Sequence, residues 1–133
     1  MLGVDSNVLV RFFTRDDEAQ FDQASRFFGR AEDRSLYLNI IVLVEVNWTL
    51  RRVYKRSRQE VLQTLEDLLQ TRQFVIEDRD NVMRAIAIAR TTKVDFSDAL
   101  IALRNEVAGC LATATFDHDA LDIEQMTDVE ALT

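Results

Sequence analysis

Apolar and polar positions alternate along this chain in two rhythms. Short runs of three to five residues read as buried strands, and longer stretches with apolar residues three and four apart read as helices. Leu2–Val4 is a short apolar run that stops at Asp5, and the apolar pattern then resumes as a helix over Asn7–Thr14. Asp16 or Asp17 can cap a second helix reaching about Glu32, with Phe21, Ala24, Phe27 and Phe28 on one face. Ser35–Leu38 reads as a second strand. Asn39 is placed to cap the helix IIVLVEVNWTLRRVYKR, whose apolar face carries Leu43, Val46, Leu50, Val53 and Tyr54, with Glu45, Trp48 and Arg52 off that stripe. Ser57 and Glu60 have capping-box spacing ahead of a helix that buries Val61, Leu62, Leu65, Leu68 and Leu69. A strand at Phe74–Ile76 precedes a helix opened by Asp78 or Asp80, with Val82, Ile86 and Ala89 inward. Asp95 can cap FSDALIALRNEVAG, which Gly109 would end. LATAT is a last strand, running into Phe116 and Asp117 as Val4 runs into Asp5.

The alternation of elements predicts an α/β fold, a single domain over residues 1–133. Composition narrows it further. There is no proline and there are three glycines, too little turn chemistry for a sandwich or barrel of short strands. The chain is 47% hydrophobic and 29% charged, as expected of a folded domain. Apolar runs such as Ile40–Val44 extend five residues, far short of the ~18 that read as a membrane span. The N-terminus has no secretory signal pattern. Cys110 is the only cysteine, which excludes an internal disulfide and a multi-cysteine metal site. A cytoplasmic location is therefore expected, with no membrane partner.

The net charge of −7 disfavours a protein that grips nucleic acid by phosphate contacts alone, unless bound cations offset some of the acids. Four acids invite that exception. Asp5 and Asp117 each follow a strand, Glu45 lies in the first two turns of a helix, and Asp98 lies in the first turn of another. In an open parallel sheet, strand ends and the starts of the following helices share one edge, where such folds bind ligands. Like charges gathered there oppose folding, and a divalent cation with oxygen ligands removes the conflict. Each acid has a plainer use as well. An acid in a first helical turn serves as a cap or complements the helix dipole, and Glu45 can sit on a solvated face.

MLGVDSNVLVRF, VLVEVNWTLRR, DFSDALIA and TFD, in that order, resemble the motifs of PIN-domain ribonucleases, and are most similar to VapC-type toxins of toxin–antitoxin pairs. The resemblance runs from Met1 to about Asp119. It implies an α/β/α sandwich around a mostly parallel sheet. It also implies Mg²⁺- or Mn²⁺-dependent hydrolysis of RNA by an activated water, leaving 3′-hydroxyl and 5′-phosphate ends. The family's acids fall on Asp5, Glu45, Asp98 and Asp117, as catalytic and metal-holding residues. Its hydroxyl-or-amide pair falls on Ser6 and Asn7, and its hydroxyl before the last acid on Thr115. Asn7 and Thr115 would orient a carboxylate or water, with Asp119 a further supporting acid. Asn7 can equally cap its helix, Thr115 can be a plain strand residue, and Asp119 a solvated loop acid. Asn39 stands where the family often has Ser or Thr, and Asn47 where it usually has an apolar residue.

The resemblance further implies a homodimer and a VapB-type antitoxin lying along the cleft. The stretch RRVYKRSR, with five basic residues and no acid, suits an RNA backbone, a solvated helix end or an acidic partner. Trp48 and Arg52 either line the cleft or meet a partner. His118, the only histidine, reads as an exposed loop residue.

Two other enzyme or signalling readings fit the residues less well. A haloacid-dehalogenase-like phosphatase needs a second Asp where Asn7 stands. A receiver domain needs a Lys after a late strand, and lysines occur only at 55 and 93. A PIN-like interaction module that has lost catalysis is a further alternative.

Overall fold

The computed structural model describes residues 1–133, grouped into two compact units, Met1–Arg79 and Asp80–Thr133. In the first, β1 (Leu2–Gly3), β2 (Leu36–Leu38) and β3 (Phe74–Ile76) form a parallel sheet in that order. Gly3 pairs with Tyr37, and Tyr37 with Val75. Helices α1 (Ser6–Thr14), α2 (Glu18–Arg30), α3 (Ile40–Arg52) and α4 (Arg58–Gln70) connect and cover these strands. Parallel strands need such crossovers. Leu36 and Leu38 of β2 are buried, whereas Leu2 and Gly3 of β1 are exposed, contrary to the buried strand expected there, because β1 is an edge strand paired on one side only.

Local sequence explains where most of the helices begin. Asp17 accepts from the Gln20 N–H at 3.0 Å, Asn39 from the Val42 N–H at 2.9 Å and Ser57 from the Glu60 N–H at 3.1 Å. The Glu60 carboxylate accepts in return from the Ser57 N–H at 3.3 Å, completing the expected capping box. The α4 stripe of Val61, Leu62, Leu65, Leu68 and Leu69 is buried as expected. On α3, Leu43, Val46 and Leu50 are buried, but Val53 lies past the last turn and is 58% exposed. Asn47 is buried and has a polar partner, so its polarity does not disturb the packing. No buried side-chain nitrogen or oxygen anywhere in the chain lacks a hydrogen bond.

An aromatic cluster joins α1, α2 and β3. Phe12 stacks on Phe21 at 5.7 Å and meets Phe28 edge-on at 5.2 Å, while Phe28 meets Phe74 at 5.7 Å. Beside it the turn after α1 is tied to the turn after α3. The Tyr54 hydroxyl donates to Asp16 at 2.7 Å, and Arg56 donates to the Phe13 carbonyl at 2.8 Å.

The second unit holds α5 (Arg79–Thr91, entered from the first), α6 (Phe96–Val107), β4 (Thr113–Thr115) and β5 (Met126–Asp128). The strands β4 and β5 pair in parallel, Thr113 with Met126 and Thr115 with Asp128. Val82, Ile86 and Ala89 of α5 are buried as expected, with Phe96, Leu100 and Leu103 of α6. Ala102, Ala120 and Met126 pack together with Leu121 and Ile123. Gly109 ends α6 with a φ of 94°, a conformation that suits glycine. The expected strand LATAT is shorter than its sequence run, because Leu111 stands fully exposed ahead of it. The α/β class and the parallel strands agree with expectation, with three strands in one sheet and two in the other. No helix is long and apolar enough to cross a membrane.

Candidate active site

The C-terminal edge of the three-stranded sheet carries a row of polar residues. Continuing the register past Gly3–Tyr37–Val75 by two residues places Asp5, Asn39 and Glu77 side by side. Each meets the start of a helix. Asp5 is the N-cap of α1, and its carboxylate accepts from the Ser6 N–H at 2.7 Å. Asn39 caps α3 from one side, and Glu77 accepts the Ile40 N–H at 2.9 Å from the other. Glu77 is a strand-end acid like Asp5, a signal that would have drawn attention to it in the sequence, and here it serves the helix. Glu45 lies five residues beyond Ile40 on α3, about 8 Å along the axis. It is exposed and has no hydrogen bond or ion pair. Asn7 is also exposed. The cap of α1 belongs to Asp5, so Asn7 is free of that duty and lines a groove of about 430 Å³ between α1 and α2.

In the second unit two of the expected acids meet. Asp95 caps α6, its carboxylate accepting from the Ser97 N–H at 3.0 Å. The cap is therefore occupied, and Asp98 in the same turn is left for other work. Asp98 is half-buried and its carboxyl is pushed above the usual range. Burial is the main cause, followed by the charges of Asp95 and Asp117 and a hydrogen bond with the Asp117 side chain. No cationic side chain contributes to that balance. The effect of Asp95 on Asp98 was not foreseen from sequence, although their spacing of three residues on one helix puts them on one side.

Asp117 is held by its own loop. Its N–H donates to the Thr115 hydroxyl at 3.0 Å, and its carboxylate accepts from the Asp119 N–H at 2.9 Å. Thr115 thus holds the main chain of Asp117 rather than its carboxylate. Asp119 acts on the same loop through its backbone, at the start of a short 3-10 turn over Asp119–Asp122. His118 is exposed and makes no cap.

The donor set suits a hard cation. Two carboxyls in contact share a proton unless a positive ion joins them, and Mg²⁺ takes one or two carboxylates while keeping several waters. Asp98 and Asp117 provide that pair. No three Asp, Glu, His or Cys residues are grouped as ligands around one point.

The wider comparison agrees with the motif order. The family model for the PIN domain matches residues 3–125, from β1 through the turn before β5. No curated protein matches the chain. PIN domains are generally nucleases, and PIN nucleases usually use divalent metals. With strand-end acids, a parallel α/β framework and a match over nearly its whole length, the chain belongs to the PIN domain family.

Proposed function

We propose that the chain is a PIN-domain nuclease, a metal-dependent endoribonuclease whose catalytic acids are drawn from Asp5, Glu45, Asp98 and Asp117. The observation that carries this reading is the half-buried Asp98, whose carboxyl is pushed up by burial and by the neighbouring charges of Asp95 and Asp117, with no cationic side chain among the causes. These residues would hold Mg²⁺ or Mn²⁺. The cation supplies Lewis acidity, lowering the pKa of an attacking water and offsetting charge on the scissile phosphate.

The protein's own contribution is placement. Thr115 and the Asp119 backbone fix Asp117. Asp95 takes the cap of α6 so that the Asp98 carboxyl remains directed at its neighbour rather than at the backbone. Asp5 stands at a strand end, locked by its cap bond to Ser6. Exposed Asn7 is available to orient a substrate phosphate or water from the first turn of α1. Water attacks phosphorus and the 3′ oxygen departs with a proton, giving 3′-hydroxyl and 5′-phosphate ends.

The biological setting that fits is a VapC-type toxin in a type II pair, working in the cytoplasm, dimeric and restrained by a VapB-type antitoxin. It is supported by the motif likeness and by exposed apolar side chains such as Ile101, Val107 and Phe116, which a partner would cover. The test is cleavage of single-stranded RNA by the purified chain with Mg²⁺ or Mn²⁺, against EDTA and against Asp98→Asn. Metal-dependent cleavage that the substitution abolishes supports the reading. RNA binding without cleavage identifies an interaction module, and release of phosphate from a small phosphomonoester identifies a phosphatase.

A further inference from the structure

The outward side of α3 carries a stripe that the catalytic reading does not use. Ile41, Glu45, Trp48 and Arg52 are spaced four, three and four residues apart, so they follow one another along a single helix face. All four are exposed, Ile41 at 70% and Trp48 at 56%. A tryptophan is normally highly buried. This one stacks on no other ring, and its indole N–H has no acceptor. Arg52 makes no ion pair, and neither does Lys55 just past the helix end. Other arginines are engaged: Arg11 with Asp16, Arg15 with Glu18, Arg84 with Glu106 and Arg56 with a carbonyl. Trp48 lies three residues from Glu45 and Arg52 seven, about 4.5 and 10 Å along the axis.

We propose that this face is a track for single-stranded RNA, in which Trp48 stacks on an unpaired base and Arg52 and Lys55 hold flanking phosphates. The inference rests on the nuclease reading above and extends it by naming what positions the strand beside Glu45. A free aromatic face next to unpaired cations is the composition by which single strands are bound without base-specific contacts. An apolar protein partner fits less well. Glu45 separates Ile41 from Trp48, and covering both would strip water from an unpaired carboxylate. A polyanion leaves Glu45 open to water and uses the two cations that a protein surface would have to match with acids.

Trp48 is the only tryptophan in the chain, so its emission reports on this face alone. The experiment titrates the full-length Asp98→Asn chain, in Mg²⁺, with a mixed-sequence single-stranded RNA of about 12 nucleotides, within the site sizes of such grooves. Saturable quenching by the single strand, and not by the same sequence as a duplex, is expected. Trp48→Ala weakens binding on the order of tenfold, whereas Trp48→Phe keeps most of it. Arg52→Gln lowers the slope of log affinity against log salt by roughly 0.7. In the otherwise native enzyme, Trp48→Ala raises KM and leaves kcat nearly unchanged.

The track is overturned if emission stays constant while anisotropy of labelled RNA shows saturation, or if Trp48→Ala binds RNA undiminished. It is also overturned if the emission changes with protein concentration alone and not with RNA, which marks a protein interface. Quenching by RNA combined with no cleavage by the native chain in Mg²⁺ or Mn²⁺ keeps the track and removes the nuclease. Unaltered KM and kcat in Trp48→Ala remove the track and keep the nuclease.

Discussion

Asp16 and Asp98 are both aspartates near a helix end, and their surroundings are opposite. Asp16, in the turn after α1, is met by donors: the Tyr54 hydroxyl at 2.7 Å, the Thr14 hydroxyl at 3.1 Å and Arg11 at 3.3 Å. These bonds, that of Tyr54 foremost, hold its carboxyl below the ordinary value of 3.8. Asp98 is half-buried and faced by Asp95 and Asp117, and its carboxyl is pushed the other way. An acid that fastens the fold is given partners within the chain. An acid pressed against other acids carries a cost that folding alone does not explain, and such groups concentrate at functional sites.

The sharpest way to break that contrast is to remove the negative charge from one side of it. Asp98→Asn or Asp117→Asn should lower RNA cleavage by on the order of 10³-fold or more, as loss of an essential catalytic group does, while Tyr54→Phe leaves cleavage near native. A cleavage rate in Asp98→Asn within a few-fold of the native chain would place the acid pair outside the chemistry. Metal addition tests the same pair without chemistry. Mg²⁺ or Mn²⁺ at about 100 times its dissociation constant should stabilise the native chain by about 2.7 kcal/mol. Thermal melts with and without EDTA measure this, and the shift should shrink in Asp117→Asn.

Asp5 combines the two kinds of acid, since it caps a helix and is a candidate ligand. Asp5→Ala should cost about 1 kcal/mol of stability, the usual loss for a cap. Asp5→Ser should recover most of that in a denaturant titration yet stay inactive. Recovery of cleavage in Asp5→Ser would reduce Asp5 to a cap.

The smallest effects are those of pH on the metal-free chain, and they have opposite signs. Asp98 binds its proton more tightly when folded. Stability therefore falls as pH rises from the unfolded value through the raised folded one, and stays reduced above it. Asp98→Asn should thus melt above the native chain at neutral pH and converge with it in acid. Asp16 binds its proton less tightly when folded. The stability it adds is present above 3.8 and is lost as pH falls through the depressed folded value. The deficit of Tyr54→Phe relative to the native chain should accordingly fade in acid. Melting curves across pH read both.

Much of the fold is legible because its signals are local. Ser57 with Glu60, Asn39 with the Val42 N–H, and Asp95 with the Ser97 N–H each fix a helix start within three residues. The leucine stripe of α4 needs only its own spacing. What depends on distant pairing is less legible. β5 is Met-Thr-Asp, with no strand-like run of its own, and exists by pairing with β4. Strand preference is largely a matter of such context. Val53 continues an apolar spacing past the point where the helix ends. Turns are hidden too, because Arg15, Arg34, Lys55 and Asp78 adopt positive φ without being glycine or asparagine. In the site, the order of the motifs pointed to Asp98 and Asp117, and their contact is visible only in the structure. The role of Glu77 as a second cap for α3 depends on sheet register and has no local signature.

The loop Thr115–Phe116–Asp117–His118–Asp119 has a consequence for speed. One oxygen of Asp117 is already engaged by a main-chain donor, and the residue's own amide is engaged by Thr115. That bond narrows the rotamers open to the side chain, so less ordering would be left for a bound cation to impose. If a cation binds there as proposed, its arrival would be set more by the shedding of its own water than by rearrangement of the loop.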